Sequence, residues 1–153
     1  MDRLGKIIYD AITADSALMQ TVGNRVKSTC FEVSPTEKDN TQLPYLIVMD
    51  GDVFPSQTTK DDGWMPSTFT QSVSIEIGAN SSNEVWDLMF AIMQAIANYI
   101  EQLAEDGHRV PYLLPGFPKA NEKIAWDWTK PCYFNTVYYA ADIDNTNNDE
   151  QEG

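Results

Sequence analysis

Histidine, cysteine and positive charge are all scarce in this chain, and no apolar run approaches the length of a membrane span. Of 153 residues one is histidine and two are cysteine, and 10 basic side chains stand against 23 acidic ones, a formal charge of −13. With His108 alone there is no imidazole cluster to hold a transition metal. Two cysteines, Cys30 and Cys132, cannot build a disulfide framework, and the simplest expectation is two reduced, buried thiols. The shortage of Lys and Arg argues against nucleic acid as a tightly held ligand, because such affinity comes from releasing phosphate counterions and the whole-molecule field opposes it. No stretch nears the ~18 apolar residues of a membrane helix. The first residues, Met1 to Lys6, lead into an amphipathic pattern rather than the apolar core of a secretory signal.

What is present is a packable core. A 42% apolar content with 11% aromatics suits one domain, which at this size buries about 70% of the unfolded chain's surface. The most legible unit runs from Thr68 to Leu103. Phe69, Val73, Ile75, Ile77 and Ala79 share one face of an alternating strand, and Thr68, Thr70, Ser72, Ser74 and Glu76 share the other. Ser81 followed by Glu84 is a reciprocal helix-capping pair. Beyond it Val85, Leu88, Met89, Ile92, Ile96, Tyr99, Ile100 and Leu103 recur at helical spacing, and Glu105-Asp106-Gly107 ends the helix.

The flanks carry weaker signals. Leu4, Ile7, Ile8, Ala11 and Ile12 form a short helical stripe. Asp15 is placed to cap a further turn that Gly23 closes, and Arg25 to Val33 suits a weak strand. Leu43 to Met49 is a short apolar run whose lack of alternation suggests a strand buried on both faces, with Pro44 at its start. Asp50 to Ser67 has the look of a long loop, unusual in carrying Phe54, Trp64 and Met65; loops of this length are functional or mobile. Pro111 to Pro118 is irregular. Ile124, Trp126 and Trp128 alternate, as do Tyr133, Val137 and Tyr139 after an interruption, which implies a bulged strand or two strands. The expectation is an α+β domain over residues 1–141. It consists of a mainly antiparallel sheet of four to five strands, with a long helix and a short N-terminal helix packed on it. Residues 142–153, with five acidic side chains and no basic ones, should form an acidic disordered tail.

No catalytic, cofactor or metal residue emerges. His108 follows a helix end, where a cation-capable side chain is favoured on electrostatic grounds alone, and nothing local pairs it with a cysteine nucleophile. Asp50, Asp52, Asp61 and Asp62 could form a carboxylate site, but surface loops of so acidic a chain bring aspartates together in any case. Asp142 to Asn147 superficially matches a calcium loop, yet Asn147 stands where glycine is needed and Gly153 where the bidentate glutamate is needed. Glycine-rich phosphate loops and serine-hydrolase elbows are missing. Trp126 and Trp128 could stack bases or sugars; a core or subunit contact is the favoured reading, since such aromatics are enriched where one end is apolar and the other wet.

The order of elements then becomes informative. Thr21-Val22-Gly23-Asn24-Arg25-Val26 follows the first helices, Leu43-Pro44-Tyr45-Leu46-Ile47-Val48 opens a strand, and the strand ending Gly78-Ala79 passes through Ser81-Ser82-Asn83-Glu84 into the long helix. This pattern resembles the tail terminator (tail completion, tail-to-head joining) proteins of long-tailed bacteriophages and prophages, over roughly Met1 to Ala104; the segment Gly107 to Pro131 departs from it. The resemblance implies a structural virion protein of the tail or neck with no enzymatic activity, assembled in the bacterial cytoplasm. It implies a homo-oligomeric ring, commonly a hexamer, that caps the tail tube, meets the tube protein on one side and a head-completion or connector protein on the other, and contacts no membrane. DNA would pass through without specific binding, which a negative lumen would favour. Phe54, Trp64 and Met65, on the long loop, are the candidate subunit or tube contacts. The alternatives are another neck or minor tail component, a small acidic ligand-binding or regulatory module of the host using Trp126 and Trp128, and an enzyme with carboxylates in the Asp50–Asp62 region.

Overall fold

The computed structural model describes residues 2–23, 25–28, 43–56, 68–128 and 131–144. In chain order the elements are α1 (Leu4–Ala14), α2 (Ser16–Val22), β1 (Val26–Ser28), β2 (Tyr45–Pro55), β3 (Thr68–Ala79), α3 (Ser82–Glu105), β4 (Tyr112–Leu113), β5 (Lys119–Ala120), β6 (Ala125–Asp127) and β7 (Cys132–Asp144). The fold is α+β. Its sheet has the order β1-β2-β3-β7-β4, with β5 and β6 also paired to β7. The sheet is mixed rather than purely antiparallel, because β1 runs parallel to β2 over Val26–Ser28, and it has seven strands where four to five were expected. The two additional pieces, β4 and β5, are two residues long, too short to show a period.

β3 and β7 form the backbone of the sheet. They pair antiparallel without a break from Thr68↔Asp144 to Ala79↔Tyr133. The strand alternation then puts Val73, Ile75 and Ile77 of β3 on the same face as Val137 and Tyr139 of β7, all buried. Leu46 and Val48 of β2 join that face. Against it lie Val85, Leu88, Met89, Ile92, Ala95 and Ile96 of α3, and Leu4, Ile8, Ala11 and Ile12 of α1, in one apolar cluster. Each such side chain taken fully out of water contributes about 1.5–3 kcal/mol. That burial, far more than helix propensity, is what holds a 24-residue helix against the sheet.

Local chemistry sets the ends of the elements. The Asp15 carboxylate accepts from the Leu18 N–H at 2.9 Å and so starts α2. At α3 the Glu84 N–H donates to Ser81 Oγ at 3.1 Å while the Glu84 carboxylate accepts from the Asn80 N–H at 3.1 Å, the reciprocal cap with its return bond shifted by one residue. The helix stops where Gly107 takes φ 85°. There the Gly107 N–H donates to Ala104 O at 3.1 Å and the His108 N–H to Leu103 O at 3.0 Å, a glycine-dependent closing turn. α1 is fastened to the sheet through the Leu4 N–H, which donates to Gln71 Oε1 at 2.8 Å.

Two boundaries differ from the sequence reading. β2 does not end at Met49 but continues through Pro55, and β7 runs through Asp144, three residues into the stretch assigned to the tail. In both places polar or acidic residues sit in strand because β3 lies alongside them. Residues 145–153 and Cys30 lie outside the described residues; Cys132 is buried.

The face opposite the helices carries a close approach. Gly78 lies beneath the Tyr45 ring, and a Cβ at position 78 would overlap that ring. Gly78→Ala should therefore destabilise the fold by about 1–3 kcal/mol through overpacking. Adding Tyr45→Ala should remove most of that specific cost in a double-mutant cycle. Urea melts of the four proteins measure this, and additive losses would contradict the packing assigned.

Two tyrosines make stability depend on alkaline pH. Burial alone pushes the Tyr139 hydroxyl above the ordinary tyrosine range. Tyr45 is raised first by burial and then by the Glu76 carboxylate, to which its hydroxyl donates at 2.9 Å. Raised folded values mean that both hydroxyls stay protonated in the fold while the unfolded chain ionises. The contribution is thus complete below about pH 10 and declines as pH rises beyond it. Unfolding free energy should fall as pH rises above about 10, with a shallower slope for Tyr139→Phe; a slope unchanged by that substitution would contradict the assignment.

Candidate functional site

The hairpin of β2 and β3 presents the first candidate surface. From Asp50 to Pro55 every β2 side chain is exposed. The register shifts between Asp50 and Val53, a bulge that Ser72 fills. The Asp52 N–H donates to Ser72 Oγ at 2.8 Å, and Gly51 backs so closely onto Ser72 that a side chain would strike its hydroxyl. Bulges of this kind sharpen the local twist and re-aim the following residues. Beyond it Val53 pairs with Gln71 and Phe54 with Thr70, so the two side chains leave on opposite faces of the sheet, 57% and 50% exposed. Phe54, expected on a loop, is thus held on a strand. Trp64 and Met65 lie outside the described residues, as do Asp61 and Asp62. Asp50 approaches Arg3 at 4.0 Å.

The second surface lies at the diagonally opposite corner. β7's outer edge is paired in succession by β4 at Ala141–Asp142, β5 at Val137–Tyr138 and β6 at Cys132–Phe134. The irregular segment Pro111–Pro118 thus contributes β4, and the residues after it follow along β7 as β5 and β6, the last within the alternating run of Ile124, Trp126 and Trp128. Asn135, itself buried, holds that segment in place. Its Nδ2 donates to Asn121 O at 3.1 Å and approaches Met89 Sδ at 3.5 Å, and its Oδ1 accepts from the Thr136 N–H at 2.8 Å.

At the β6 end, Trp126 packs edge-to-face on Tyr133 with centroids 4.8 Å apart and on Trp128 at 5.8 Å. Trp128, in the turn beyond β6, is 85% exposed. On α3 Trp86 and Phe90 make a third edge-to-face pair at 5.1 Å, both half exposed. Neither belongs to the buried helical stripe, and a pair of large aromatics off that stripe is the signal that could have marked them in the sequence. Trp126 and Trp128 are not core residues. Their mutual perpendicular packing also leaves no parallel pair of faces for stacked bases.

The charge of this flank departs from the rest of the chain. Residues 107–131 contain four basic side chains (Arg109, Lys119, Lys123 and Lys130) and two acidic ones (Glu122 and Asp127), leaving six basic against 21 acidic elsewhere. Lys119 sits over the Phe117 ring at 5.1 Å. A cleft of about 580 Å³ between α2 and the start of α3 is lined by Asp15, Leu18, Ser81, Glu84, Asp87 and Leu88 among others. Asp15 and Glu84 there already serve as caps, and no histidine, cysteine or lysine lines it. No helix among the described residues is long and apolar enough to cross a membrane.

No family model matches the chain, and no curated protein matches it. Among solved structures it is similar to that of bacteriophage SPP1 gp17 protein, at 16% identity and a TM-score of 0.44, over 92% of this chain and 88% of that one.

Asn135→Ala should loosen the β5–β6 flank before it unfolds the sheet, because it removes the bond to Asn121 O at a buried site, worth about 1–3 kcal/mol. Hydrogen exchange should show faster exchange at residues 119–127 with β3 unchanged. Equal acceleration in both would contradict a local role.

Proposed function

We propose that this chain is a non-enzymatic structural component of a long-tailed phage virion that assembles into a ring capping the tail tube and joining tail to head. The observation that carries the reading is a pair of exposed apolar surfaces at opposite corners of one sheet. Phe54 lies exposed at one corner, with Val53 on the reverse face, and Trp126, Trp128 and Tyr133 cluster at the other. Contiguous exposed aromatics mark surfaces that are covered in an assembly. Two different patches, rather than one self-complementary patch, suit head-to-tail contacts, which close into rings when the rotation allows.

The sequence likeness to tail terminators supports the same reading. Its motifs fall on the α2–β1 junction, the start of β2 and the β3–α3 junction, the positions that set the layer of helices on the sheet. The acidity fits a ring through which DNA passes: a lumen rich in carboxylates repels phosphate instead of holding it. The partners of this reading are further copies of the chain, commonly six to a ring, the tail tube protein, and a head-completion protein.

Replacing residues 52–67 by a short Gly-Ser turn should leave a folded chain, judged by far-ultraviolet circular dichroism, that no longer forms rings or joins tails to heads in an assembly assay. Normal joining by this variant would contradict the role given to the hairpin.

A further inference from the structure

α3 carries a second apolar stripe beside the one that faces the sheet. Trp86, Phe90, Met93, Ala97, Ile100 and Ala104 recur at spacings of four, three, four, three and four. At about 100° per residue these six fall within roughly 80° of one another on the helix surface. Trp86, Phe90, Ala97 and Ala104 are exposed, while Met93 and Ile100 lean on the core cluster. Trp86 and Phe90, one turn apart, already pack edge to face. Single surface hydrophobics are ordinary, but a continuous stripe along most of a helix marks a covered surface. Alternating steps of three and four form the seam with which one helix meets another.

The two borders of the seam differ. On one side Met89 and Ile96 are buried in the protein's own core. On the other lie Asp87, Gln94 and Glu101, all exposed. α3 has four acidic residues, Glu84, Asp87, Glu101 and Glu105, and neither lysine nor arginine. A second copy of this helix is therefore a poor occupant. Laid antiparallel, it sets Asp87 beside Glu101 of the second copy at both ends of the contact, and like charges there are repelled. Laid parallel, it puts tryptophan on tryptophan and alanine on alanine, which crowds one end and leaves gaps at the other.

We propose that the seam docks an amphipathic helix of another protein, one whose apolar heptads are bordered by lysine or arginine. The basic residues of that helix face Asp87 and Glu101 and select it over acidic alternatives. Trp86 and Phe90 are bulky where Ala97 and Ala104 are small, so the occupant has small residues over the first turns of α3 and large ones over the last. From position 86 to 104 the helix rises about 27 Å, enough for roughly three heptads. The ring reading stands on other residues, and the seam does not depend on it.

The test is titration of the full-length chain with synthetic three-heptad peptides at ~0.15 M salt, read by calorimetry. The first peptide has an apolar seam grading from alanine to leucine, made in both chain directions and bordered by lysine. The second has the same seam bordered by glutamate, and the third is the lysine peptide scrambled to remove the heptad. The lysine heptad peptide should bind at least about tenfold more tightly than either control. Phe90→Ser with Ala97→Gln, which changes no charge, should cost it at least about tenfold in affinity. Asp87→Lys with Glu101→Lys should reverse the preference in favour of the glutamate peptide. All four positions are exposed, so both variants should keep the circular dichroism spectrum and urea midpoint of the parent. Equal binding of the heptad and scrambled lysine peptides would reduce the effect to bulk charge and overturn the proposal, as would no binding of the lysine heptad peptide. A dimer of the unmodified chain in native mass spectrometry that Phe90→Ser with Ala97→Gln abolishes would overturn it too, by placing a second copy on the seam.

Discussion

The antiparallel ladder between β3 and β7 is the constraint on which the other elements depend. Twelve consecutive residues of β3 are paired, and each rung fixes which side chains face the helices. A one-residue slip would send Val73, Ile75, Ile77, Val137 and Tyr139 to the opposite face and leave α3 with nothing to pack on. The ladder therefore sets the register of the core. It also fixes where the outer pieces attach, since β2 hangs on one side and β4, β5 and β6 on the other.

From that constraint follows the asymmetry of the surface. On the β2 side the ladder extends past the bulge at Asp50–Val53 and leaves Val53 and Phe54 in water. On the β7 side the outer edge is covered by strands of two or three residues, an arrangement that blunts an edge that would otherwise pair with other chains. The side chains that arrive with those short strands are aromatic and basic. One side is thus acidic with two apolar residues on a strand, and the other is aromatic with lysines.

Legibility in the sequence followed the range of the interactions. The alternation of β3, the Ser81–Glu84 cap and the apolar stripe of α3 are local features, and the structure has all three. The extension of β2 was hidden because Asp50-Gly51-Asp52 reads as a turn; only the Ser72 hydroxyl, twenty residues away, turns it into a bulge inside a strand. β4 and β5, two residues each, have no period of their own and exist through pairing with β7. The parallel β1–β2 pair could not be seen, because three residues carry no sign of strand direction. At the candidate site, Phe54 lies exposed on a strand instead of a loop. Trp86 and Phe90 fall off the buried stripe of their helix, and only the folded chain shows the two rings in contact. That Asn135 is the buried tie holding the flank was invisible, since it depends on Asn121 and Met89 being brought beside it.

The central claim is that the chain closes into a ring with copies of itself. Native mass spectrometry of the unmodified 17.2 kDa chain, alone and with purified tail tube, tests it most directly. A closed ring gives one discrete oligomer of fixed stoichiometry, six copies in the commonest case, with no ladder of higher masses. A chain that stays monomeric under both conditions, or that gives an open-ended series of oligomers, would contradict it.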